Sequence, residues 1–163
     1  MFRRENFDPR LVTILLIVLV QMIGASMALP ILPLFARREF SMEPQTITLL
    51  ISVFFAAQFV AGPFIGRASD RYGRLPVLII SQVGTVISFV MLALAQGPAM
   101  LFASRILDGI TGGNIVVAQA YVTDVTPRNR RTQSLGLIFA AFGVGFTIGP
   151  ALGGVLAALF GER

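Results

Sequence analysis

Residues 46–95 read TITLLISVFFAAQFVAGPFIG (46–66), RASDRYGRL (67–75) and PVLIISQVGTVISFVMLALA (76–95). Two apolar runs of about 20 residues, each long enough to cross about 30 Å of hydrocarbon as a helix, flank a short segment dense in charge. Outward from this pair the same pattern repeats. Leu11–Ala36, Leu101–Thr123 and Leu135–Phe160 are further apolar runs, giving five expected spans with Thr46–Gly66 and Pro76–Ala95. The connectors Arg37–Gln45, Arg67–Leu75, Gln96–Met100 and Asp124–Ser134 hold the turn formers and nearly all the charge.

Composition agrees with a bilayer as solvent. The 163 residues are 55% hydrophobic and 13% charged, about half the charge of a water-soluble domain, so polar surface is too scarce to wrap the apolar side chains. Neither Cys nor His occurs. Disulfides, zinc sites and Ser/His or Cys/His catalysis are therefore excluded, and no enzyme, metal or cofactor is expected. The net charge of +5 comes from arginines in short groups between apolar runs, a membrane-topology pattern and not a nucleic-acid footprint.

Those groups set the expected orientation. Arg3, Arg4, Arg10, Arg67, Arg71, Arg74, Arg128, Arg130 and Arg131 fall on one side of the five spans, and Arg37, Arg38 and Arg163 on the other. The richer side belongs in the cytoplasm, which places the N-terminus inside a plasma (inner) membrane. A cleaved leader is the competing reading of Leu11–Val20 with Ser26-Met27-Ala28. The apolar run continuing through Leu29–Phe35, and the acidic Glu5 and Asp8, weigh against it.

Three motifs stand out against this background. The connector Gly66-Arg67-Ala68-Ser69-Asp70-Arg71-Tyr72-Gly73-Arg74 has glycines at Gly66 and Gly73 that permit a tight reversal, and Asp70 to accept hydrogen bonds from arginine or a helix start. The fifth span carries Gly136, Gly145, Gly149-Pro150 and Gly153-Gly154. Positions 145, 149 and 153 form one smooth stripe for close approach of another helix, and Pro150 removes a backbone donor. The fourth span carries Arg105-Ile106-Leu107-Asp108-Gly109-Ile110-Thr111-Gly112-Gly113. On a continuous helix Arg105, Gly109, Gly112 and Gln119 lie within about 40° of one line, with Asp108 about 60° away, making one face polar and thin.

Each motif has a plainer reading: positive-inside punctuation, a small-residue packing face, and an arginine whose stem returns its head to the interface about 6 Å away. Asp108 lies deeper, and its plainer role is an ion pair with Arg105. Gln21, Ser26, Gln58, Gln82, Asn114 and Gln119 are further intramembrane polar groups. Interhelical hydrogen bonding is their default and a substrate path the alternative. Pro30 and Pro33 are expected to break or kink the first span. Phe54, Phe55, Phe59, Phe64 and Phe139 fit either the wall of a lipophilic site or a lipid-facing surface.

Together these segments resemble the major facilitator superfamily. The Gly66–Arg74 loop is similar to its G-x-x-x-D-R-x-G-R signature, with Leu75 where a further basic residue is usual. The glycine-proline set resembles the motif of its proton antiporters, and Arg105-Ile106-Leu107-Asp108-Gly109 resembles its R-x-x-Q/D-G motif. The prolines after Leu29, Gln58–Pro63 and Tyr121–Pro127 add likeness to the tetracycline and multidrug branch.

The resemblance implies an all-α polytopic membrane protein, the N-terminal portion of a twelve-span transporter whose second half is absent here. It implies export of a small lipophilic molecule in exchange for protons by two rocking bundles. Asp70, Arg71 and Arg74 would latch the cytoplasmic edge with Gly66 and Gly73. Arg105, Asp108 and Gly109 would serve proton coupling, and the Gly145–Gly154 stripe would slide near the bundle interface. Implied partners are a small-molecule substrate, protons, lipid, and the missing half or a second copy, with no nucleic acid. A facilitator or symporter of the same superfamily, or a non-transporting scaffold that oligomerises, are the alternatives.

Overall fold

The computed structural model describes residues 9–160, apart from the side chains of Arg10, Asn114 and Phe160. Arg3, Arg4 and Arg163, used above for orientation, lie outside the described residues. Six α-helices follow one another: α1 (Pro9–Phe40), α2 (Pro44–Tyr72), α3 (Arg74–Ala93), α4 (Pro98–Thr111), α5 (Asn114–Val125) and α6 (Arg131–Phe160). A single 3₁₀ turn, Arg128–Arg130, precedes α6. In length and hydropathy these make five candidate membrane helices, with α4 and α5 together forming the fourth.

The helices outrun the apolar stretches. Arg37 and Arg38 belong to the last turn of α1, where positive charge complements the carbonyl end of the helix. The loop after it shrinks to three residues, turned by Ser41 at φ 50° and closed by a bond from Met42 N–H to the Ala36 carbonyl. Most of the expected connector Arg67–Leu75 is helix as well. Gly73 alone separates α2 from α3, at φ 95°, a value side chains with a Cβ rarely adopt. Gly66 takes no part in this reversal: it lies inside α2, and a Cβ there would meet nothing. Pro44 and Pro98 sit at the starts of α2 and α4, where a missing N–H costs no hydrogen bond. Pro30 and Pro33 do not break α1, which is helical throughout.

The fourth span differs most from its sequence reading. It is not one rod, because Gly112-Gly113 interrupts it and starts α5 afresh. The face drawn through Arg105 and Gln119 on a continuous helix therefore does not carry across the break.

Two apolar clusters hold the bundle. Leu11, Ile14, Val18, Leu78, Val117, Ala118, Val122 and Ile138 fill the end that carries the basic loops. Leu32, Phe35, Ala36, Met42, Ile47, Leu50, Ala95 and Leu101 fill the other end. Between them lies a buried polar layer of Ser26, Thr85, Ser88, Ser104, Arg105 and Asp108. Its serines bond within their own helices, Ser26 donating to the Met22 carbonyl (2.6 Å), Ser88 to the Thr85 carbonyl (2.7 Å) and Ser104 to the Leu101 carbonyl (2.8 Å), while the Thr85 hydroxyl pairs with that of Thr111 in α4 at 3.4 Å. Outward-facing Phe59, Phe64, Val20 and Ile80 leave large apolar areas uncovered, as suits contact with lipid or other apolar protein.

Candidate functional site

Close helix contacts place the polar layer. A Cβ on Gly109 would run into the Phe54 carbonyl and come within 2.7 Å of the Ala57 Cβ, so α4 lies directly on α2 there. A Cβ on Gly84 would overlap the Thr111 side chain, so α4 lies as closely on α3. Gly109 thus has a packing role that its sequence assignment to proton coupling did not contain.

Between these contacts the Arg105 Nη1 and Asp108 Oδ2 atoms are 3.2 Å apart, with side chains only 7% and 6% exposed. Arg105 does not snorkel. Its guanidinium carbon stands 5.6 Å from the Phe89 ring centroid and 6.0 Å from that of Phe54, a cation between aromatic rings of α3 and α2. Its Nε and Nη2 are buried and have no hydrogen-bond partner among the described residues. Asp108 also faces the Ser88 hydroxyl.

The break in the fourth span is part of the same site. Gly112 N–H donates to the Asp108 carbonyl at 2.6 Å, and the freed Gly112 carbonyl accepts from Gln58 Nε2 at 3.0 Å. Gln58, expected as an interhelical bond or a path residue, is thus the former and also lines a cavity of about 210 Å³. That cavity reaches Ser26, Phe54, Phe55, Arg105, Asp108 and Phe142. Gln21 and Gln119 lie outside it. Gln21 accepts from Gln82 at 2.9 Å between α1 and α3, while the Gln119 carbonyl takes the Thr123 hydroxyl. The Asn114 side chain lies outside the described residues. Of the five phenylalanines named from sequence, Phe54 and Phe55 line the cavity, whereas Phe59, Phe64 and Phe139 point outward.

The loop motif forms a second cluster. Arg74 reaches Asp70 at 2.6 Å and Asp124 at 3.0 Å, and donates to Ser69 Oγ at 2.7 Å. Asp70 accepts from arginine and does not cap α3, whose start has no side-chain cap. Arg71 stands apart, over the Tyr72 ring at 5.4 Å. Asp124, read from sequence as part of a loop, is the long-range partner within the chain that ties the end of α5 to the start of α3.

The glycine stripe has a partner within this bundle. A Cβ on Gly145 would come within 2.7 Å of Met22 Cβ and 2.8 Å of the Leu19 carbonyl, and one on Gly149 would overlap Ser26 Oγ. On Gly153 it would stand 3.1 Å from the Met27 carbonyl. The stripe therefore forms a close seam between α1 and α6 within this bundle. Gly136 and Gly154 meet nothing. Ser26 Oγ, 3.1 Å from the Gly145 carbonyl, spans the seam.

Residues 14–163 match the family model of the Major Facilitator Superfamily. The tetracycline resistance protein, class H, of Pasteurella multocida is 37% identical over 152 residues, covering 91% of this chain and 38% of its own length. Multidrug resistance protein 2 of Bacillus subtilis (strain 168) is 32% identical over 147 residues, covering 90% and 36%. The crystal structure of the human organic anion transporter MFSD10 superposes with a TM-score of 0.78 at 26% identity, over 96% of this chain and 45% of that one. The chain thus spans little more than a third of the length of the curated relatives it matches.

Proposed function

The chain belongs to the major facilitator superfamily, and on that footing we propose that it is the first-half bundle of a transporter that exports a small, lipophilic, drug-like molecule in exchange for protons. The observation that carries the reading is the buried Arg105–Asp108 pair beside a phenylalanine-walled cavity, on a helix interrupted at Gly112-Gly113. A charge at mid-depth in a bilayer costs at least about 2.5–3.5 kcal/mol, and such residues mark ion or substrate pathways. Asp108 is the one carboxylate in the polar layer, and so its proton carrier. Arg105 holds it ionised in one state and releases it in another.

The basic end, with Arg67, Arg71, Arg74 and Arg128–Arg131, faces the cytoplasm of a plasma (inner) membrane. There Arg74, Asp70 and Asp124 brace α2, α3 and α5 where a second bundle would close, supplied by the other half of the transporter or by a second copy. The two bundles then expose one cavity to each side in turn. The inward proton contributes about 2.3 kcal/mol per 100 mV of membrane potential.

Inside-out vesicles containing the complete transporter test this. Drug addition should release protons from the loaded lumen, and Asp108→Asn should abolish that release while leaving drug binding measurable. Drug accumulation with no proton movement, or unchanged coupling in Asp108→Asn, would overturn the exchange mechanism.

A further inference from the structure

We infer that Ser88 is a positioning residue for the proton carrier: when Arg105 lets go of Asp108, the Ser88 hydroxyl turns from the Thr85 carbonyl to the freed carboxyl and holds it at the α3–α4 contact through proton uptake and release. This deepens the transport reading, and it rests on Asp108 being the carrier.

The register of α3 against α4 sets the two side chains opposite each other. A Cβ on Gly84 would overlap the Thr111 side chain, the Thr85 and Thr111 hydroxyls are 3.4 Å apart, and the Phe89 ring centroid stands 5.6 Å from the Arg105 guanidinium carbon. Positions advance along α3 as they retreat along α4, as in an antiparallel pair. Ser88 lies one turn beyond Gly84 and just before Phe89, which brings it beside Asp108, one turn before Thr111. Its hydroxyl faces the carboxyl there. Both residues are buried, Ser88 fully, so bulk water does not stand in for either partner.

Ser88 is free to turn. Arg105 Nη1 holds Asp108 Oδ2 at 3.2 Å, while Ser88 donates to the Thr85 carbonyl at 2.7 Å. That carbonyl also belongs to the regular N–H ladder of α3, so the hydroxyl can leave without stranding it. Neighbouring donors are engaged elsewhere: Thr111 with the Leu107 carbonyl, Ser104 with the Leu101 carbonyl and Gln58 with the Gly112 carbonyl.

Hydrogen-bond chemistry gives the reason for a hydroxyl at this place. A guanidinium only donates, so Arg105 suits the ionised carboxylate and offers nothing to the O–H of the protonated acid. A hydroxyl both donates and accepts. Ser88 donates to the carboxylate before the proton arrives; afterwards it accepts from the Asp108 O–H while its own hydrogen returns to Thr85. One contact then serves both forms of a buried group that is costly to leave unpaired in either. Among the described residues Arg105 is the one charged group paired with Asp108. The other helices around the cavity bring Ser26, Gln58 and Phe142, none of them ionisable.

The sequence has no Cys, so Ser88→Cys installs a single S–H group whose infrared stretch lies clear of other protein bands and falls as its hydrogen bond strengthens. The stretch is recorded on this chain in detergent at alkaline pH. Adding Arg105→Gln, which frees the carboxylate, should lower the frequency, because a charge-assisted bond is the stronger one. Adding instead Arg105→Met with Asp108→Leu, which removes the carboxylate, should leave the frequency at the value of Ser88→Cys alone. The same frequency in all three chains overturns the inference. In the complete transporter in inside-out vesicles, Ser88→Ala should slow drug-driven proton release about tenfold with drug affinity held within about twofold, and Ser88→Thr, which keeps the hydroxyl, should restore most of the rate. Equal loss in Ser88→Ala and Ser88→Thr, or no loss in Ser88→Ala, overturns it too. This second arm leaves Arg105 unchanged, so a misfolded Arg105→Gln keeps the test intact. A parent transporter that moves drug without protons sinks the transport reading, whereas the infrared comparison still decides whether Ser88 meets Asp108.

Discussion

The family glycine motif treats Gly136, Gly145, Gly149, Gly153 and Gly154 as one set, and the structure divides it, which makes alanine replacement a sharp test. A Cβ at Gly149 would overlap Ser26 Oγ and sit 2.7 Å from the Ile23 carbonyl, a backbone atom that cannot rotate away. At Gly145 it would meet the Leu19 carbonyl at 2.8 Å, and at Gly153 the nearest atom is 3.1 Å away. Overpacking of this kind costs about 1–3 kcal/mol, offset by about 0.5–1 kcal/mol from replacing a mid-helix glycine. Net losses of up to about 2.5 kcal/mol are expected at 145 and 149, with 149 worst and 153 mildest. Gly136→Ala, Gly143→Ala and Gly154→Ala face open space and should be neutral or stabilising by up to about 1 kcal/mol. Unfolding of the chain in mixed micelles, followed by circular dichroism, measures the series. Ser26→Ala in the Gly149→Ala background should recover only part of the loss, because the Ile23 carbonyl stays in place. A chain in which Gly149→Ala is as stable as the parent, or Gly154→Ala is the most damaging, would refute the α1–α6 seam.

Three further outcomes follow from the same contacts. Asp108→Leu strands a buried arginine and should cost about 3–5 kcal/mol, whereas Asp108→Leu with Arg105→Met should cost much less; a double-mutant cycle with coupling near zero would show that the two charges do not depend on each other. Gly73→Ala should lose roughly 1–2 kcal/mol for its left-handed φ of 95°, while Gly66→Ala should not destabilise. Their order in the same unfolding assay decides which glycine makes the reversal. Gln58→Leu leaves the Gly112 carbonyl unmatched and should cost about 1–3 kcal/mol. Hydrogen exchange should quicken at Gly112 and Val116, and unchanged protection there would mean that Gln58 does not hold the break.

What the sequence made legible was whatever hydropathy and small-residue spacing report. Five apolar runs announced the membrane bundle, and the i, i+4, i+8 glycines announced a close helix contact, because both depend on side-chain size and polarity alone. Partners were not legible. Nothing in the spacing of Gly145, Gly149 and Gly153 says that α1 lies against the stripe, or that Asp124 reaches back across 50 positions to Arg74. Helix ends were not legible for a related reason: arginines mark where a chain leaves the hydrocarbon, but they do not stop a helix, so α1 runs on through Arg38 and α2 through Arg71. The break in the fourth span escaped for the opposite reason. Gly112 and Gly113 lie well inside one candidate span, and two glycines in a membrane helix read equally well as packing. Only the tertiary contacts decide: the Gln58 amide that takes up the Gly112 carbonyl lies 54 residues away in α2. That dependence joins the break to the site, since the same glutamine borders the cavity shared by Arg105 and Asp108, and loosening one must disturb the wall of the other.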